Sequence, residues 1–176
     1  MPARTTLAAW ALPFAAMVAV VVASNILVQY PINDWLTWGA FTYPVAFLVT
    51  DLTNRRLGVA AAQRVAVAGF LAAVILSFWL ATPRIAIASG TAFLTAQLLD
   101  VTLFDRLRRR PWWQAPIASS TLASIWDTAV FFSLAFAFTG LPWVTWALGD
   151  LAVKLAMALA LLLPFRWLMG ARPAPA

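Results

Sequence analysis

Six apolar runs, at about residues 7 to 29, 38 to 54, 60 to 82, 84 to 106, 114 to 139 and 142 to 168, take up nearly the whole chain. Crossing a hydrocarbon core of roughly 30 Å takes about 20 such residues. Inside that core the backbone has no water to bond, so each run must satisfy its own N–H and C=O groups as a helix. Six crossings would use about 120 residues and leave only short connections. No room remains for a soluble domain.

Composition agrees and removes several chemistries. The chain is 64% hydrophobic and 10% charged, with a mean hydropathy of +0.87. It has no Cys, His or Glu, so all six acidic residues are Asp. Thiol nucleophiles, histidine acid/base catalysis, haem ligation and the usual zinc sites are excluded, and no metal or cofactor is expected. No G-x-x-x-x-G-K-[ST] loop is present, so the chain cannot itself drive transport with ATP.

The connections QYPINDW, TNRRLG, ATPR, RLRRRPWWQAP and FTGLPW are short turn or interface segments, which makes consecutive helices antiparallel neighbours. With a cytoplasmic N-terminus, the inner segments hold Arg4, Arg55, Arg56, Arg64, Arg106, Arg108, Arg109, Arg110, Arg166 and Arg172, and the outer loops hold Arg84. That bias of ten to one orients the chain and favours an even number of crossings. It also explains the pI of 11.4 through anionic lipid headgroups, without nucleic acid. Trp35, Trp38, Trp112, Trp113, Trp143 and Trp167 fall near span ends as an interfacial belt. MPAR before the first run resembles a signal peptide, but the run is too long and five more follow. The fold expected is all-α: a polytopic membrane protein, a compact bundle of six transmembrane helices with both termini cytoplasmic. One domain covers 1–170, with a disordered tail at 171–176.

Charged and polar residues inside the runs are the informative ones. A charge at a helix centre costs roughly 2.5–3.5 kcal/mol and normally faces a partner, a bundle interior or a water-filled cavity. Ser89, Phe93, Gln97, Asp100 and Phe104 lie on one stripe of the fourth run. Ser120, Ser124, Asp127 and Phe131 line one face of the fifth, and Trp143, Trp146, Asp150, Lys154 and Met157 one face of the sixth. Asp150 and Lys154 are four apart, in the order that favours a pair. Asn25 and Gln29 lie a turn apart in the first run, and the second carries Thr42, Tyr43, Thr50, Asp51 and Asn54. Arg55, four on from Asp51, is its expected partner, and Arg108 or Arg109 that of Asp105. The D-x-T repeated at Asp51 and Asp100 reads as coincidence, because both spans run in the same direction. Amide, carboxylate, hydroxyl and aromatic groups on facing stripes suit a small planar polar ligand better than a bare ion filter, though an ion pathway stays open.

The segments ASNILVQ (23–29), LTWGAFTYPVAFLVTDLTNRRLG (36–58), RIAIASGTAFLTAQLLDVTLFDRLR (84–108), SSTLASIWDTAVFFSLAF (119–136) and GDLAVKL (149–155) closely resemble the bacterial queuosine precursor transporter family, also called the vitamin uptake transporter family. The likeness runs from about residue 20 to 166. It implies a multi-pass protein of the bacterial inner membrane that imports 7-cyano-7-deazaguanine, and in some cases 7-aminomethyl-7-deazaguanine, for salvage of a modified tRNA base. Against such a ligand, Asp100 or Asp127 would accept the N1 hydrogen and 2-amino group together, while Gln97, Asn25 and Lys154 would meet O6 or the nitrile. Asp150 would hold Lys154. Phe93 and Trp146 are candidates to cover the ring, and Ser124 lies on the same face as Asp127.

Secondary transport or facilitated uptake is the leading expectation; self-association and proton coupling stay open. One alternative is the substrate-binding subunit of an energy-coupling-factor uptake system, with partner ATPases. Another is an intramembrane enzyme built on an aspartyl pair, or on Ser120 or Ser124 with Lys154.

Overall fold

The computed structural model describes residues 7–27, 30–33, 35–80 and 82–170. Arg4, Gln29, Arg172 and the 171–176 tail lie outside the described residues. Among the described residues the fold is all-α apart from one small hairpin. Helix α1 (Leu7–Leu27) leads into strands β1 (Pro31–Asn33) and β2 (Leu36–Thr37), followed by α2 (Gly39–Thr42), α3 (Val45–Leu57) and α4 (Val59–Leu80). Helices α5 (Pro83–Leu107), α6 (Gln114–Phe136), α7 (Trp143–Ala160) and α8 (Leu162–Gly170) complete the described chain. Among the described residues, five stretches are long and apolar enough to cross a membrane, in α1, α4, α5, α6 and the α7–α8 run.

The second and sixth apolar runs are each interrupted, and proline is the cause in both. Pro44 has no N–H for the Ala40 carbonyl and its ring crowds that oxygen. The chain therefore passes from α2 to α3 through tighter i to i+3 bonds, from Ala46 N to Tyr43 O at 3.1 Å and from Phe47 N to Pro44 O at 3.1 Å. Pro164 acts in the same way on Ala160, where α7 ends and a turn at Leu161 opens α8. The segment expected as a plain loop after α1 forms the antiparallel hairpin instead. Asn33 Oδ1 accepts from Trp35 N at 2.9 Å, the local bond by which Asn favours a turn.

Helices approach closely where side chains are small. Ala88, Ala92 and Ala96 of α5 and Ala123 of α6 are fully buried, and Phe47 of α3 packs with Ala96 and Ala123. Met17, Val21, Val65, Ala73 and Phe93 join α1, α4 and α5 in a second cluster. Gly69 is required there: a Cβ would stand 2.7 Å from Met17 Cγ and 3.0 Å from Phe93 Cζ. Gly69→Val is expected to destabilise by about 1–3 kcal/mol through overpacking. Thermal unfolding in detergent, followed by tryptophan fluorescence, measures it. Gly170→Ala is the control, since a Cβ there meets nothing within 4 Å.

The arginines tie helix ends together. Arg55 donates to the Arg108 carbonyl and Arg56 to the Leu168 carbonyl, joining the ends of α3, α5 and α8. Arg64 lies over the Trp10 ring at 5.3 Å and Arg166 over Trp112 at 4.9 Å. Asp105 pairs with Arg108 at 3.2 Å, as its spacing suggests. Arg84 of α5 donates to the Leu134 and Ala137 carbonyls, where a cation complements the C-terminal end of α6.

Candidate functional site

Lys154 is the centre of the polar interior. Helix α7 carries it one turn beyond Asp150, and their side chains pair at 2.5 Å. A second carboxylate comes from α6, with Lys154 Nζ donating to Asp127 Oδ2 at 2.7 Å. Its third bond goes to Thr128 Oγ1 at 3.2 Å, and Thr128 itself donates to Asp150 Oδ2 at 2.9 Å. The three ammonium hydrogens are thereby engaged. The Lys154 and Asp127 side chains are 5% and 4% exposed, against 21% for Asp150, so Asp150 is the member that meets solvent. Two carboxylates around one ammonium leave an excess of acceptors.

This cluster forms one wall of a cavity of about 150 Å³. Ser24 and Asn25 of α1 and Tyr43 at the α2–α3 break face it, with Ser89 of α5 and Phe131 of α6. Gly39, Ala40, Ala73 and Ala92 supply small-residue lining that leaves the space open. A space of this order admits a small planar aromatic molecule. Two lining atoms are buried without a hydrogen-bond partner, Asp127 Oδ1 and Ser24 Oγ. A buried acceptor left unpaired costs about 1–3 kcal/mol, which a ligand donor would recover. Asn25 donates to the Val21 carbonyl at 2.9 Å. The Tyr43 ring lies 5.8 Å from Lys154 Nζ and meets Phe93 edge to face at 5.7 Å.

A second polar cluster lies beneath the first, between α3, α5 and α6. Thr50 donates to Gln97 Oε1 at 2.9 Å and approaches Asp100 Oδ2 at 3.4 Å. Ser120 approaches Asp100 Oδ1 at 3.5 Å, and Asn54 donates to the Val101 carbonyl at 2.9 Å. Asp51 neighbours Asp100 and borders the same small space as Ser120, the residue whose hydroxyl approaches Asp100. The aspartates of the two D-x-T sequences read as coincidence are thus neighbours, while Thr53 and Thr102 bond carbonyls of their own helices. Asp51 is not paired with Arg55 as its spacing suggested, because that guanidinium is turned to the Arg108 carbonyl.

The sequence-derived site residues therefore divide. Asn25, Asp127, Asp150 and Lys154 border the cavity. Ser124 shares a smaller space with Lys154 on the other side of the ammonium. Gln97 and Asp100 belong to the lower cluster. Phe93 is core packing behind Tyr43, and Trp146 stands edge-on to Phe136 at 5.7 Å. Tyr43, Ser24, Ser89 and Phe131 complete the cavity without having been singled out as ligand contacts. Tyr43 had a signal, since an aromatic hydroxyl directly before a proline inside an apolar run marks an irregular, inward-facing turn.

A family model described as "Putative vitamin uptake transporter" matches residues 37–82 and 77–169. The "Queuosine precursor transporter" of Escherichia coli is 37% identical over 174 residues, covering 82% of this chain and 79% of that protein. The "Probable queuosine precursor transporter" of Haemophilus influenzae is 36% identical, with the same two coverages. That of Bacillus subtilis is 27% identical over 128 residues, 57% of this chain and 56% of the relative. No solved structure gives a significant match.

Proposed function

Since the chain belongs to the vitamin uptake transporter family, we propose that it carries queuosine precursors, 7-cyano-7-deazaguanine and 7-aminomethyl-7-deazaguanine, inward across the bacterial inner membrane by secondary transport or facilitated uptake. The names of the relatives support the ligand class. The observation that carries the reading to a site is the cavity bordered by the unpartnered Asp127 oxygen.

In this reading Asp127 accepts from N1–H and the 2-amino group, and Asp150 stands ready for a second donor. Lys154 has a different task, holding both carboxylates in place. Tyr43 and Phe131 cover the ring. The acceptor excess suits the cationic aminomethyl precursor at least as well as the neutral cyano one. The broken α2–α3 segment counts as the sixth crossing, giving one six-span domain over 1–170 with both termini cytoplasmic. The arginines gathered at the ends of α3, α5 and α8 support that orientation. A Ser–Lys dyad is disfavoured by an ammonium already committed to Asp127, Asp150 and Thr128.

The test is uptake of labelled 7-cyano-7-deazaguanine into proteoliposomes holding this chain alone, with guanine as competitor. Accumulation of chemically unchanged ligand is expected. Uptake that needs an added ATPase complex would favour the energy-coupling-factor alternative, and altered ligand would favour an enzyme.

A further inference from the structure

Beneath Lys154 lies a second, smaller space of about 10 Å³, close to what one water molecule occupies. Asp51, Ser120, Ser124 and Lys154 share its wall. A buried water is held where it finds two to four polar partners. Asp51 Oδ1 and Ser124 Oγ are both buried without a hydrogen-bond partner, and both residues border this space. Asp51 is 2% exposed and Ser124 1%. Lys154 borders both spaces, so it separates the ligand cavity from the lower cluster by one side chain.

The charges around the lower cluster are unbalanced. Asp100 is fully buried, in reach of Asp51, and among the described residues neither makes an ion pair. From their own helices, Arg55 and Arg56 bond carbonyls and Asp105 pairs with Arg108. From the helices packed against them, Arg64 and Arg166 lie over tryptophans. Lys154 is held by Asp127 and Asp150. Two adjacent buried carboxyl groups without a cation repel unless a proton lies between them.

We propose that Asp51 and Asp100 form a proton-carrying pair, joined through a one-water space walled by Ser120 and Ser124 to the Lys154–Asp127 ion pair, and that this relay couples ligand import to an inward proton. The inference rests on the importer reading above and supplies its energy source. A proton that follows the ligand in neutralises Asp127, which loosens its hold on both the ligand and Lys154 and frees the ligand to leave inward. The proton then passes by the Ser124 hydroxyl and the water to the Asp51–Asp100 pair, which loses one negative charge as Asp127 regains one. From there it leaves toward the arginine-rich ends of α3 and α5. Ser124, one turn from Asp127 on α6, and the water each give up one hydrogen and take one, so neither is consumed.

The test uses the full chain in proteoliposomes with labelled 7-cyano-7-deazaguanine. Net uptake is measured with and without an imposed gradient, acidic outside. Exchange of labelled for unlabelled ligand is measured at equal pH. Wild-type net uptake is expected to rise several-fold with the gradient. Asp51→Asn is expected to lose that rise while still exchanging ligand, and Ser120→Ala to diminish it. If Asp51→Asn does not fold, Ser120→Ala decides. Wild-type uptake indifferent to the gradient overturns the relay while leaving the importer reading intact. So does a folded variant of either kind with the full wild-type response. Absence of any uptake or exchange by the wild type overturns the importer reading, and the relay with it.

Discussion

Lys154→Met is expected to lose about 3–5 kcal/mol of stability, the usual cost of stripping one partner from a buried ion pair. The methionine nearly matches the lysine stem in volume, so packing contributes little. What remains is electrostatic: Asp127 and Asp150, now 2.7 Å and 2.5 Å from nothing that carries charge, lose their shared counterion. Thermal unfolding in detergent should show the drop. The triple variant Lys154→Met, Asp127→Asn, Asp150→Asn should recover much of it, because removing all the charges also removes the unpaired ones. If the single variant is as stable as wild type, the ammonium is not what holds α6 and α7 together.

Asp127→Asn should weaken binding of 7-cyano-7-deazaguanine by about 3 kcal/mol, about a hundredfold in Kd. The amide keeps one acceptor but loses the charge and presents hydrogens where the ligand also presents hydrogens. Binding to the purified protein measures this apart from transport. Asp100→Asn should cost much less affinity, since Asp100 lies in the lower cluster, away from the cavity. Asp105→Asn serves as the control, for its half-exposed pair with Arg108 contributes at most about 1 kcal/mol to stability. Equal losses for Asp100→Asn and Asp127→Asn would move the ligand downward in the bundle.

The helices were legible because lipid leaves the backbone few choices, and the apolar runs end within a few residues of the observed helices. Asp150 with Lys154 was legible for the same local reason: positions four apart on a helix must meet. Asp127 as the other half of that pair was not, because its contact depends on how α6 rotates against α7. The same holds for Asp51 and Asp100, on helices separated by all of α4. Spacing even pointed Asp51 to Arg55, and tertiary packing won by offering the guanidinium a carbonyl at the end of α5. Pro44 and Pro164 were visible as residues, but where each would break its run depends on the carbonyl four positions earlier.

That carbonyl matters at Ala40, a residue bordering the ligand cavity. Pro44 cannot bond it, so the interruption takes away the usual helical donor of a main-chain acceptor next to the site, as happens where broken helices line a cavity in a membrane. Mutagenesis that exchanges side chains one by one cannot delete it. Recognition assigned from such a scan would therefore add up to less than the affinity measured, and the shortfall would belong to the peptide backbone.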